Sequence, residues 1–255
     1  MRMSDLPPPP FGQLPAALRR AWRQVAALPF ENLTKILKVT DGGEKGARPI
    51  RLPDEVLRDH RQYGTGATCF ALVFLLRHLA RQAGIELTLH TCDRRHGDDT
   101  HAAAAWSGGG RRWIFDPGYH IVQPLPGEGE ERFYHRANPN ATRIRRRGED
   151  RYECYTGHAG NWRLRFVFKD RALSDSAFRR TWVASFSAEM MAYPVLTRFR
   201  DGRMIYLQKS NLVIRDASGS QLAPLRTGEL ADAIPEAYGI DARIVKRALE
   251  RLRRK

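Results

Sequence analysis

Three side chains in this 255-residue sequence could together form and break an acyl bond: Cys69, His101 and Asp116. Cys69 sits in the stretch GTGATCFALVFLL, residues 64–76, where two glycines and two threonines give way to an apolar run. Thr68 is placed to cap a helix beginning at Cys69, with Gly84 to close it. A helix N-terminus carries unpaired N–H groups and partial positive charge. Both stabilise a thiolate, the form of cysteine that attacks carbonyls. A free cysteine is also a common core residue, so position alone does not decide its role.

The partners come from a hairpin. HAAAAW and RRWIFD read as strands joined by Ser107–Gly110. A symmetric four-residue turn pairs Trp106 with Arg111 and, further out, sets His101 directly opposite Asp116. Opposed residues on one face have Cβ atoms about 4.5–5.5 Å apart, close enough for an imidazole to bond a carboxylate. Asp116 would then fix the tautomer of His101 and stabilise its charged form, and His101 would take the proton of the thiol.

The rest of the chain must position these groups. Leu18, Trp22, Val25 and Ala26 share a helical face in residues 14–28, which Pro29 ends. Residues 55–63 read as a second helix, broken by Gly64 and Gly66. From Ile85 the period becomes two, and IELTLHTCD, HAAAAW, RRWIFD, WRLRFVFK, PVLTRFRDG, MIYLQ and NLVIRD read as strands of an antiparallel sheet or barrel. Residues 124–150, rich in Pro, Gly, Asn and Arg, read as a long loop. TGELADAIPEAYG and DARIVKRALERLRRK return to helix.

Composition bounds the partners. The net charge of +15 favours an anionic one, whether nucleic acid, phospholipid or a phosphate-rich small molecule. RIRRR (143–147) and RALERLRRK (247–255) read as a solvated loop and a helix end whose cations suit the dipole; no nucleic-acid motif accompanies them. Three cysteines without a repeated spacing argue against a disulfide framework. MRMSDLPPPPFG has no apolar signal core and reads as a frayed arm, and FALVFLL is too short to span a bilayer. The expectation is a cytoplasmic protein with reduced thiols and no membrane partner. His90, Cys92 and His96 are the best metal candidates, but no fourth ligand has suitable spacing, so no metal is expected.

Longer motifs carry a resemblance. PFENL (29–33), GATCFA, DDTHAAAAW, FDPGYH and, near the end, DGRMIYLQKSNLVIRD with ELADAIPEAYGI resemble the arylamine N-acetyltransferase family from about Leu14 to Ile240. The resemblance implies an α+β fold with a cysteine-proteinase-like core. It divides into a helical bundle with the nucleophile (1–84), a β-barrel with His and Asp (85–190) and an α/β lid ending in a basic helix (191–255). It implies a Cys69–His101–Asp116 triad and a ping-pong reaction in which acyl-CoA, a co-substrate and not a bound cofactor, acylates Cys69 and a small amine takes the acyl group. It also implies that Phe30 and Tyr119 line the acceptor pocket. The chain departs from the pattern beside the nucleophile. Thr65 stands for an arginine that pairs with the glutamate of PFENL, so Glu31 needs another partner. Ala71 stands for Glu or Gln, Pro117 follows the aspartate, and His120 stands for glycine. An amide synthase of the same fold, drawing its acyl group from a carrier protein, and a transglutaminase-like cysteine enzyme are the alternatives.

Overall fold

The computed structural model describes residues 5–41, 50–134, 138–187 and 189–254. In α1 (Ala16–Ala26), Leu18, Ala21, Trp22 and Val25 are buried together, the three-and-four spacing of one helical stripe. α2 (Leu33–Asp41) and α3 (Pro53–Tyr63) follow; Gly64, at φ +66°, ends α3. α4 (Cys69–Arg81) is buried all round from Cys69 to Arg77, as an apolar helix inside a core must be. Its Phe70 and Phe74 pack on Phe178 and Trp182 of α5 (Asp175–Ala184), with ring centroids 5.3–6.4 Å apart.

Eight antiparallel strands form the centre: β2 (Thr88–Arg94), β3 (Gly97–Gly108), β4 (Arg111–Asp116), β5 (Ile121–Pro124), β6 (Glu130–Tyr134), β7 (Ala141–Arg146), β8 (Arg151–His158) and β9 (Asn161–Lys169). Their spatial order is β5-β4-β3-β2-β9-β8-β7-β6. Thr142 of β7 hydrogen-bonds Gln123 of β5, linking the two ends into a nearly closed barrel. Cys92, Ile114, Ile144, Cys154, Phe166 and Phe168 are buried in one of its cores.

A second sheet runs β1-β10-β11-β12-β13, from β1 (Phe30–Glu31), β10 (Val195–Arg200), β11 (Arg203–Gln208), β12 (Asn211–Arg215) and β13 (Ser220–Pro224). α6 (Leu230–Tyr238) and α7 (Ala242–Arg253) cover it, sharing a core with Leu33 and Leu37 of α2. The PFENL stretch is thus the seam of the molecule. Phe30 pairs with Thr197 on one side and bridges Ala67, just before Cys69, on the other.

Three sequence expectations are corrected. Residues 124–150 are not one long loop, because β6 and β7 lie within them. Their arginines are compatible with strands since Arg145 and Arg147 pair with Glu153 and Arg143 lies over the rings of Tyr155 and Trp162. The N-terminal arm is not frayed from Pro7 onward: the Pro7 carbonyl accepts the Tyr134 N–H of β6 at 2.9 Å and Pro9 is buried. Thr68 occupies the N-cap position of α4, but its side chain makes no capping bond. Among the described residues no helix is long and apolar enough to cross a membrane.

Candidate active site

The β3–β4 hairpin turns on Gly109 and Gly110, not on four residues. Both have positive φ, +59° and +72°, the backbone of a two-residue turn whose twist matches that of its strands. Gly108 therefore pairs with Arg111 and Trp106 with Trp113. The register is two residues from the symmetric one, so His101 is not directly opposite Asp116 but meets it diagonally. A shift of two keeps both side chains on one face. His101 Nε2–H donates to Asp116 Oδ2 at 3.0 Å, with the two residues 2% and 0% exposed. The other carboxylate oxygen, Oδ1, accepts the Gly118 N–H at 2.8 Å and the Tyr119 N–H at 3.4 Å. Asp116 thus holds both the imidazole and the turn that follows it.

The second ring nitrogen, Nδ1, is buried without an oxygen or nitrogen partner. The Cys69 thiol interacts with the same ring. Burial alone would raise the pKa of Cys69; the charge and contact of His101, with Arg94 and Lys35 behind it, reverse this and hold it below the ordinary thiol value. Burial likewise works against charge on His101, but Asp116 and Cys69 push its pKa up to about 10. Both shifts favour a thiolate paired with an imidazolium. Cys92 and Cys154 are also free and buried, and burial pushes both well above the ordinary value.

Close backbone approach explains the glycine at position 66, shortly before Cys69. A Cβ on Gly66 would lie 1.6 Å from the Pro29 carbonyl oxygen. The same seam is laced by bonds from Ala67 N–H to Pro29 O and from Glu31 N–H to Ala67 O. Glu31 finds its cation in Arg51, which sequence inspection did not single out. Arg51 Nη1 donates to Thr34 Oγ1 and to the Gly66 carbonyl, each at 2.7 Å, and Nη2 to Asp59 Oδ2 at 2.8 Å. Thr34 in turn donates its N–H and hydroxyl to the Glu31 carboxylate, at 2.9 and 2.5 Å.

Phe30 and Tyr119 are both half-buried and near the imidazole. The Tyr119 ring centroid is 5.4 Å from that of His101, and a Cβ on Gly118 would touch both His101 and Phe30, at 3.3 and 3.8 Å. His120 holds φ +55°, a conformation that costs a non-glycine residue about 1–2 kcal/mol. Its Nε2–H donates to the Ala26 carbonyl at 2.8 Å, and its ring stacks on Phe199 of β10 at 4.0 Å. These contacts, which tie α1 to the second sheet, offset the strain.

His90, Cys92 and His96 do not come together. His90 is buried, with Nδ1 on the Lys169 carbonyl and Nε2 on Thr88 Oγ1; burial lowers its pKa to about 4. Cys92 packs in the barrel core and His96 is exposed. Among the described residues no group of three or more His, Cys, Asp or Glu could hold a metal ion.

Two further cations were not read from the sequence. Lys35 of α2 is 5% exposed, and burial, aided by Arg94 and opposed by Cys69, lowers its pKa to about 8. Arg94 is held by the carbonyl and hydroxyl of Thr100. The one sequence signal for Lys35 is a lysine beside the apolar residues of LTKIL; Arg51 and Arg94 carry none, because their partners are distant in the chain.

No protein-family model matches the sequence, and no curated protein matches it in sequence. Solved structures do match in fold. The arylamine N-acetyltransferase of Nocardia farcinica is 23% identical, with 95% of this chain and 88% of that chain covered and a TM-score of 0.75. That of Mycobacterium abscessus is 17% identical, with 97% and 90% covered and a TM-score of 0.77. The Mycobacterium marinum enzyme in complex with CoA is 17% identical, with 92% of each chain covered and a TM-score of 0.73. The chain has the arylamine N-acetyltransferase fold: helices, a nearly closed antiparallel barrel and a second sheet with its helices.

Proposed function

We propose that this chain is an acyltransferase that carries an acyl group on Cys69 between acyl-CoA and a small amine. The observation that carries the reading is the buried His101–Asp116 bond of 3.0 Å beside the one thiol of three whose pKa is lowered. In the first half-reaction the Cys69 thiolate attacks the thioester carbonyl. The bond to the CoA sulfur breaks, and His101 Nδ1–H supplies the proton that the leaving thiolate needs. In the second, His101 accepts the proton of the amine as its nitrogen attacks the enzyme thioester, and Cys69 leaves as the thiolate. The unclaimed N–H groups of the first turn of α4, where Thr68 makes no side-chain cap, suit the developing oxyanion.

Acyl-CoA as donor is supported by charge. Arg163, Arg165 and Arg215, on β9 and β12, act on one another electrostatically, and none has a carboxylate in ion-pair range among the described residues. Arg165 lies over the Tyr119 ring, 5.5 Å from its centroid. Three guanidinium groups without a carboxylate partner, one of them over the Tyr119 ring, suit the phosphates of the donor. Phe30 and Tyr119 would flank the acceptor. Steady-state rates with acetyl-CoA and an arylamine or hydrazine test the reading, and parallel double-reciprocal lines are expected. Intersecting lines contradict a covalent intermediate. Loading from a carrier-bound thioester alone would make the chain an amide synthase, and cross-linking of peptide glutamines would make it transglutaminase-like.

A further inference from the structure

A small pocket opens on the α2 side of Cys69. Its lining includes Lys35, Thr68, Ala71, Trp182 and Phe186. Thr68 and Ala71 flank Cys69 in the chain, so the pocket borders the turn of α4 that holds the thiol, and the small side chain of Ala71 leaves it room. Lys35 Nζ donates to the Ser185 carbonyl at 2.8 Å and to Ser185 Oγ at 2.7 Å, and lies 4.3 Å from the centroid of the Phe186 ring. An ammonium has three N–H donors, so one remains beyond these two bonds.

The charge balance around Cys69 is the informative feature. Lys35 and Arg94 both act on the thiol, and among the described residues neither has a carboxylate within ion-pair range. Two cations, one of them nearly buried, therefore act on the Cys69 thiolate and have no carboxylate partner of their own. Burying a cation without an anion is costly. Acylation turns the thiolate into a neutral thioester and removes that anion. An acyl group with its own carboxylate a few bonds from the carbonyl would restore it.

We propose that the site selects an acyl donor whose acyl group ends in a carboxylate, a dicarboxylic-acid monothioester of the malonyl or succinyl kind, with Lys35 pairing that carboxylate. This rests on the reading of Cys69 as the acyl carrier. The step balances as for any thioester exchange: the Cys69 Sγ–carbonyl bond forms, the CoA sulfur–carbonyl bond breaks, and the proton from His101 goes to the CoA thiolate. The distal carboxylate is a spectator that exchanges solvent for Lys35.

The test uses the whole protein without amine and follows the Cys69 thioester by mass spectrometry against time. Malonyl-CoA is compared with isovaleryl-CoA, which has the same heavy-atom shape without charge, and with acetyl-CoA. A charge-assisted hydrogen bond predicts loading from malonyl-CoA about tenfold to a hundredfold faster than from isovaleryl-CoA. Lys35→Met should reduce that ratio about tenfold or more, and Lys35→Arg, which keeps the charge, should reduce it less. Using the ratio cancels any general effect of the substitution on thiol reactivity. Ready loading from acetyl- and isovaleryl-CoA with no malonyl advantage overturns this inference alone, as does a malonyl advantage unchanged in Lys35→Met. Failure of every CoA thioester to load Cys69 overturns the reading of acyl-CoA as donor and this inference with it.

Discussion

Arg51 Nη1 lies 3.7 Å from Glu31 Oε1, and the two side chains are 6% and 0% exposed. This buried pair joins the PFENL seam to the loop before Cys69, since the same Nη1 also holds the Gly66 carbonyl. Removing one partner of a buried ion pair costs about 3–5 kcal/mol, because the other charge stays buried alone. Arg51→Met should therefore lower the melting temperature by roughly 6–20 °C for a chain of this size. Arg51→Lys should recover part of the loss, since an ammonium cannot serve Thr34, Gly66 and Asp59 in a fixed fork. Thermal unfolding of the two variants checks this; equal and small shifts would contradict it.

Asp116→Asn tests the orienting role of the carboxylate. Asp116 Oδ1 is claimed by the N–H groups of Gly118 and Tyr119, so the oxygen of an asparagine must stay there. Its NH2 group then points at His101 Nε2 and forces the neutral ring into the Nδ1–H tautomer, which cannot accept the thiol proton. The imidazolium also loses its counter-charge. Acylation should slow on the order of a thousandfold or more while the far-ultraviolet circular dichroism stays unchanged. Acylation at the wild-type rate would sink the orienting role.

The thiolate–imidazolium pair sets a pH dependence. The pKa of Cys69 is lowered and that of His101 raised to about 10. The ion pair therefore exists between these two values and is lost on the acid side when the thiolate protonates. Iodoacetamide alkylation of Cys69 should level off at a lower pH than that of an ordinary free thiol and fall in acid. A rate that levels off only where a free thiol ionises would contradict this. Cys92 and Cys154 should label far more slowly by peptide mapping.

Gly66→Ala should disrupt the junction, because its Cβ would fall 1.6 Å from a backbone oxygen that cannot rotate away. A loss of more than about 3 kcal/mol in stability is expected from the enforced backbone shift, with slower alkylation of Cys69. Gly12→Ala, which meets nothing within 4 Å, is the control. Denaturant titration of both variants decides the matter.

Much of the arrangement is legible in the sequence where the cause is local. The glycines, Thr68 and the apolar run mark the start of α4. The relation of His101 to Asp116 was reached through an incorrect register. Placing four residues in the turn overlooked the preference of Gly109–Gly110 for a two-residue turn, but an error of two residues leaves the face unchanged; an error of one would have separated the pair. β6 and β7 were missed because strands near a sheet edge carry outward charges, and the arginines of β7 conceal its buried Ala141, Thr142 and Ile144. α5 was missed because it buries only Phe178 and Trp182, too few to define a period. Arg51 and Lys35 were invisible for another reason: the groups that give them meaning, Gly66 and Ser185 among them, are brought to them only by the fold.

The central claim is that Cys69 carries an acyl group taken from acyl-CoA, and intact-protein mass spectrometry tests it most directly. The protein is mixed with acyl-CoA, acetyl- and malonyl-CoA included, in the absence of any amine. The account predicts one added acyl group, located to Cys69 by peptide mapping, absent in Cys69→Ala and discharged when an arylamine or hydrazine is added. A protein that stays at its original mass with every acyl-CoA, or that carries the acyl group at Cys92, Cys154 or a lysine while Cys69 stays free, would contradict it.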